Sequence, residues 1–272
     1  MSLRTRAAQL RSLPDVVWGI RGIAAELAPA IAPAIAAASG RACETRGIPR
    51  VIHTVFGLWD TRRIPWHSRL ILGGWRRRHP APEWTIVCWN RLTAEAFIQR
   101  DSPEHWDLYQ SLPRNAQRAD LLRYLLLYRL GGFYVDLDVR CHVGIDRQQR
   151  EHADAGVLAC VEATLTPQEA HRIGVQEPIR NGRAEHTERI ANFFLGAQAG
   201  HPLLRAIIAL LVQRSVLAIH TDYDVLYTTG PDVVTEAIQC AREAHDLVVI
   251  GQPEANRLFE HLEFGNWRSA SS

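Results

Sequence analysis

The sequence predicts an α/β fold with a mostly parallel sheet flanked by helices. Short runs rich in Val, Ile, Phe and Trp alternate with longer stretches of helical periodicity. Gly and Pro punctuate the helical stretches, as at Gly131-Gly132 and His79-Pro80. A chain of 272 residues, 47% hydrophobic and 22% charged, is also long and apolar enough to bury its own core.

Residues 1–48 stand apart in composition and read as a helical N-terminal extension to a main domain, 49–272. They open with Arg4, Arg6 and Arg11 and run into the Ala/Ile/Pro-rich stretch Leu27–Ser39. That stretch resembles a signal peptide only superficially. It starts late, follows Glu26, is broken by Pro29 and Pro33, and falls well short of the roughly 20 apolar residues of a membrane span. Two short helices packed on the main domain are expected, with a peripheral membrane contact as the alternative. From there the pattern predicts strands at Arg50–Phe56 and Trp84–Trp89, and helices at Ser68–Arg78, Leu92–Arg100 and Glu104–Ser111. Asn115–Leu130 is the strongest helix and ends at Gly131-Gly132, where a left-handed residue closes it easily. A strand, Phe133–Asp138, follows and ends in acids. Further strands are expected at Val157–Glu162, Ile190–Gln198 and Leu247–Ile250, and helices at Pro202–Leu217 and Pro231–Arg242.

Composition excludes several chemistries. All 31 basic residues are arginine, because the chain has no lysine. A phosphate loop of the Walker type, a kinase Lys–Glu pair and a Schiff base are therefore ruled out. A net charge of +2 does not suit a nucleic-acid binder. The five cysteines are scattered without C-x-x-C spacing, which indicates neither a zinc site nor a disulfide framework and fits a reducing cytoplasm.

The informative stretch runs from Arg118 to Asp138. Asp120 and Arg123 lie three apart and share one helix face. Leu121, Leu125 and Tyr128 mark a different, apolar face. If the following strand carries Asp136 and Asp138, residues i and i+2 point the same way. Two carboxylates then converge at the sheet edge where α/β folds bind ligands. Convergent carboxylates call for a cation, and Mg²⁺ or Mn²⁺ prefers oxygen ligands. A D-x-D alone is a weak signal, and the chain carries a second copy at Asp222-Tyr223-Asp224. That copy lacks the helix, the glycines and the aromatic strand, and reads as a loop or strand start.

The pattern D-x-x-R, Leu/Tyr-rich helix, G-G-x-Y, D-x-D resembles the metal-dependent glycosyltransferases of family 32, and more distantly the glucosyltransferase domains of large clostridial toxins. The family includes Golgi mannosyltransferases and bacterial polysaccharide transferases. The resemblance implies a GT-A fold, a UDP- or GDP-sugar donor, a Mn²⁺ or Mg²⁺ cofactor and transfer with retention to a hydroxyl acceptor. That acceptor is a saccharide or glycolipid, in polysaccharide or glycolipid assembly. Pro49–Gly57 is similar to the family's opening strand, with Phe56 standing where a Trp stacks on the nucleotide base. By the same resemblance Asp120 meets donor-sugar hydroxyls and Arg123 the sugar and diphosphate. Asp136 contacts ribose and metal, and Asp138 binds the metal directly. Tyr134 lines the nucleotide pocket or packs in the core, and Asn192 faces the donor sugar. His201-Pro202 reads as a helix start, and Thr229-Gly230-Pro231 opens a helix on the acceptor side. Glu162 ends a strand at the active edge. His261–Trp267 is similar to H-x-x-x-G-S-W: His261 completes the metal set, Asn266 replaces the usual Ser, and Trp267 contacts the diphosphate. The implied setting is cytoplasmic, at the inner membrane face if residues 1–48 touch it. Two alternatives compete. One is an aspartyl-phosphate-forming phosphatase using Asp136 and Asp138; the other is a catalytically degenerate nucleotide-sugar binding protein.

Overall fold

The computed structural model describes residues 16–18, 47–56, 58, 64–169, 171 and 186–264. In chain order its strands are β1 (Val16–Trp18), β2 (Val51–Val55), β3 (Thr85–Trp89), β4 (Gly132–Val135), β5 (Val139–Cys141), β6 (Val157–Thr164), β7 (Glu188–Ala197), β8 (Leu247–Ile250) and β9 (Phe259–His261). Its helices are α1 (Trp66–Arg78), α2 (Arg91–Asp101), α3 (Trp106–Ser111), α4 (Asn115–Leu130), α5 (Asp146–Glu151), α6 (Pro202–Arg214), α7 (Asp222–Thr228), α8 (Pro231–Cys240) and α9 (Gln252–Leu258). The main sheet runs β1-β3-β2-β4-β7-β6-β8. Every neighbouring pair is parallel except the two that involve β7. The expected α/β class with a mostly parallel sheet is what the chain forms.

Helices cover both faces, because alternate residues of each strand point to opposite sides. Val87 and Trp89 of β3 join one core with α2, α4, α6 and α8. Ile86 and Cys88 join the other with α1, β5, α9 and β9. Helix α4 is buried on every side from Ala119 to Leu127, Asp120 and Arg123 included, which is the signature of an interior helix rather than a one-faced surface helix.

Helix α4 and strand β8 take the boundaries expected of them, and most other elements differ by a few residues. Three differences bear on the site. The strand expected over Phe133–Asp138 stops at Val135, so Asp136 and Asp138 lie on a turn closed by the Val139 amide donating to the Asp136 carbonyl (3.1 Å). The chain must turn there because β5 leaves the main sheet to pair with β9, Val139 opposite His261. The carboxylates converge through this turn, not through strand alternation. The second D-x-D opens helix α7 instead of a loop or strand. Asp224 closes a capping box with Thr221 and accepts from the His220 and Thr221 amides (both 2.6 Å), so its charge serves a helix start. Within the extension expected to be helical, Val16–Trp18 is a strand paired with β3; two Val and a Trp favour extended backbone. The rest of 1–46 lies outside the described residues.

Strand order creates the site. From β2 the chain moves to β3 on one side, then returns to β4 on the other. The crevice at such a switch point opens beyond the C-terminal ends of the two strands. Phe56 follows β2 there, and Asp136 follows β4. Because β7 runs antiparallel, its early residues Arg189 and Asn192 reach the same edge.

Candidate active site

Helix α4 delivers Asp120 and Arg123, which are only 5% and 6% exposed. Their nearest Oδ1–Nη2 distance is 3.1 Å, so this is a buried pair and not a surface i,i+3 contact. Around Asp120 the Asn192 amide donates to Oδ1 (3.0 Å) and the Thr229 hydroxyl to Oδ2 (2.7 Å). A carboxylate offers about four acceptor sites, and Arg123, Asn192 and Thr229 take three of them. Burial is the main force on Asp120 and raises its pKa to about 6, against the pull of Arg123 and Thr229.

Arg123 is held from several sides. Its Nη1 donates to the Asn192 carbonyl (2.6 Å), its Nη2 lies 3.4 Å from Asp136 Oδ1, and its guanidinium sits 4.5 Å from the centre of the Tyr134 ring. Its buried Nε has no partner among the described residues. Burial works against its charge, but Asp136, Tyr134 and Asp120 more than offset this and raise its pKa, so it is a fixed cation. Tyr134 is almost fully buried and donates its hydroxyl to Asp136 Oδ1 (2.7 Å). It thus forms the floor of the cleft and aims Asp136.

Asp136, Asp138 and His261 each offer a ligand atom, all within 4.8 Å of one another. Asp138 Oδ1 lies 3.5 Å from His261 Nε2, and Asp138 Oδ2 accepts from the Phe264 amide (3.1 Å). Burial pushes the Asp138 carboxyl up, but His261 and that amide outweigh it and hold the pKa below its usual value. Burial pushes His261 down, while Asp138 and Asp136 outweigh it and raise the imidazole. Burial raises Asp136, with Arg123 opposing and Asp138 adding to the rise. Two carboxylates and an imidazole whose Nδ1 has no partner among the described residues form a donor set that suits Mn²⁺ or Mg²⁺.

These groups line one cleft of about 440 Å³, with Phe56 and Ser68 at its β2 end and Glu162, Arg189 and Pro231 at its β6/β7 end. Of the residues singled out in the sequence, Phe56, Asp120, Arg123, Tyr134, Asp136, Asp138, Asn192 and His261 all reach this cleft. Asn266 and Trp267 lie outside the described residues. His201 is a helix cap, as expected. Its Nδ1 accepts from the Leu203 amide and its Nε2 faces Asp246 (both 3.1 Å). Sequence reasoning passed over two groups. Thr229 was read only as part of a helix-opening turn, yet it binds Asp120. Arg189 carried no signal, because one Arg among many has no pattern around it.

Comparison with known proteins adds a family. Residues 66–153 match the model of a glycosyltransferase sugar-binding region containing the DXD motif. The chain belongs to this family. Inositol phosphoceramide mannosyltransferase 3 of Schizosaccharomyces pombe is 30% identical over 189 residues, 69% of this chain and 44% of that protein. Mannosyl phosphorylinositol ceramide synthase CSH1 of Saccharomyces cerevisiae is 30% identical over 99 residues, 36% of this chain and 25% of that protein. The chain therefore spans less than half the length of these relatives. The solved PaToxG glycosyltransferase superposes with a TM-score of 0.47 at 17% identity, over 82% of this chain and 79% of that one.

Proposed function

We propose that the chain is a metal-dependent, retaining glycosyltransferase that moves a sugar from a UDP- or GDP-sugar to a hydroxyl of a saccharide or glycolipid. The observation that carries this reading is the convergence of the Asp120–Arg123 pair with Asp136, Asp138 and His261 in a single cleft. The names of the relatives make mannose the first donor sugar to test and a glycolipid the first acceptor class. Asp136, Asp138 and His261 would hold a Mn²⁺ or Mg²⁺ ion, which would supply Lewis-acid neutralisation of a departing diphosphate. Arg123 adds a buried positive charge whose unpartnered Nε can bind a phosphate oxygen. Asp120 keeps about one free acceptor site, enough to orient a donor hydroxyl. Because its other sites are engaged, it suits orientation better than covalent attack. Phe56 offers an apolar face for the base at the β2 end. The acceptor hydroxyl then attacks from the face the diphosphate leaves, and a phosphate oxygen takes its proton. Polysaccharide or glycolipid assembly at the cytoplasmic face of a membrane is the setting in this reading. The buried free thiols of Cys88, Cys141 and Cys160 suit a reducing compartment.

The phosphatase alternative needs Asp136 as a free nucleophile. Tyr134 and Arg123 both engage its Oδ1, and the family match points to sugar transfer. The test is incubation with Mn²⁺ and a panel of GDP- and UDP-sugars, GDP-mannose first, with released nucleotide as the readout. Turnover that is lost in Asp138→Asn supports the reading. Nucleotide binding without turnover would leave a degenerate binding protein, and phosphomonoester hydrolysis through an aspartyl phosphate on Asp136 would establish the phosphatase.

A further inference from the structure

The β6/β7 end of the cleft contains a pair of charged groups that the donor-side chemistry does not use. Between the pairs Val161–Ile190 and Ala163–Arg189, β6 advances two residues while β7 advances one. Glu162 is the extra residue of that bulge. Bulges of this kind re-aim a side chain and are frequent beside active sites. Here the Glu162 carboxylate lines the cleft. Its Oε2 is shielded from solvent and has no hydrogen-bond partner among the described residues. Arg189 Nε lies 3.7 Å away and is also buried and without a hydrogen bond among the described residues. Arg189 Nη2 lies 3.8 Å from Asp232 at the start of α8. These separations are too long for hydrogen bonds, so an acceptor and a donor both stand unfilled side by side. An orphaned buried polar group in a native fold calls for explanation; both side chains are also 25% exposed and line the cleft, so a small shift on binding lets a polyhydroxylic ligand supply a hydroxyl to give and an oxygen to receive.

We infer that Glu162 and Arg189 form the acceptor subsite, with Glu162 accepting a hydrogen bond from a hydroxyl that neighbours the attacking one on an uncharged polyol ring. This rests on the glycosyltransferase reading. Sheet order places the pair correctly: Phe56 follows β2, Asp136 follows β4, and Arg189 and Glu162 lie on the next two strands, β7 and β6. The base, diphosphate, sugar and acceptor can then lie in sequence along one edge. Charge selects the ring's chemistry. Arg189, His261, Glu263 and Asp232 all act on Glu162 at this end, which sets three carboxylates against one guanidinium and one imidazole. A phosphorylated ring position would meet net repulsion here, whereas a neutral hydroxyl would not. A phosphate elsewhere on a larger acceptor would have to lie outside this subsite.

The test measures two reactions with the 272-residue chain and Mn²⁺: donor hydrolysis, and transfer to myo-inositol or methyl α-mannoside, each compared with its phosphorylated counterpart. Wild type should transfer to the neutral probes in preference to the phosphorylated ones. In Glu162→Gln the KM for the neutral probe should rise about tenfold or more, the effect of weakening one hydrogen bond to a charged group. Donor hydrolysis and Mn²⁺–nucleotide affinity should stay unchanged, which also reports a folded protein. Glu162→Asp should fall between the two. If wild type hydrolyses donor and Glu162→Gln leaves the acceptor KM unaltered, the subsite is wrong and the glycosyltransferase reading survives. Preference for phosphorylated probes, or transfer to none of them, overturns the neutral-polyol assignment. Absence of any donor turnover in wild type overturns both readings together.

Discussion

Three residues of the site can be probed one at a time. Asp120 has its pKa raised from 3.8 to about 6 by burial. A carboxyl raised on folding contributes stability that is complete below the unfolded value and is lost as pH rises through the folded one. The stability of wild type relative to Asp120→Asn should therefore fall between about pH 4 and pH 6, then level off, by on the order of 2–3 kcal/mol. Thermal or urea unfolding of both proteins across that range checks it, and a flat difference would show that Asp120 is not shifted. The buried His53, lowered to about 4 by burial, is common to both proteins and cancels. Asp138→Asn and His261→Ala should each weaken Mn²⁺ binding by at least the roughly 10–100-fold that loss of an outer-shell partner costs, since each alters a direct ligand in a small set. Calorimetric titration of Mn²⁺ against the three proteins measures it. Affinity should also weaken as pH falls, because the His261 pKa is raised and a ligand must lose its proton to bind. Glu263, with φ of 46°, holds the turn between His261 and Phe264 in the left-handed region, so the Phe264 amide can reach Asp138.

At the scale of elements, the junction from α4 to β4 matters most. Gly131 caps α4 with φ of 67°, and Gly132 enters β4 with φ of 100°. A Cβ on Gly132 would stand 2.6 Å from the Val51 carbonyl oxygen in the neighbouring strand. Gly132→Ala should cost about 2 kcal/mol or more, through both the φ and the clash. Because it shifts the strand leading to Asp136, donor turnover should fall as well; a urea midpoint equal to wild type would disprove the strain. His53 secures the same junction. It donates from Nε2 to the Gly131 carbonyl (2.9 Å) and accepts from the Trp89 indole on Nδ1 (3.1 Å). Its place in the opening-strand pattern is thereby explained by packing, and burial keeps it neutral. The turn before α8 has a comparable task. Tyr124 donates to the Thr229 carbonyl (2.9 Å) while the Thr229 hydroxyl holds Asp120. Thr229→Val should lower kcat for donor turnover several-fold, about what one buried hydrogen bond of 1 kcal/mol supplies, with metal affinity unchanged.

Across the whole molecule the cleft joins α4, the β4–β5 turn, β7 and β9, which are distant in sequence. Ligands that bridge these elements bind the folded state alone and should stabilise it by linkage. Mn²⁺ with a nucleoside diphosphate should therefore raise Tm by more than the sum of either alone, and chelation with EDTA should reverse the gain. Additive shifts would mean that nucleotide and metal do not share the site.

The sequence by itself determined the α/β class, helix α4 with its Asp120–Arg123 pair, and the D-x-D that follows it. Each of these is written locally, in periodicity, in glycines at a helix end and in side-chain spacing. Tertiary structure alone decided the rest. It turned Asp136 and Asp138 off the strand, because the pairing of β5 with β9 brings His261, 123 residues beyond Asp138 in the chain, to the same point. It buried the ion pair, raised Asp120, and recruited Thr229 and Arg189, which no local pattern marks. It also gave the two D-x-D copies opposite fates. The first meets a sheet edge and a distant histidine, whereas the second meets only the amides of its own helix start. Burial and long-range partners are properties of the assembled sheet, and a local motif does not specify them.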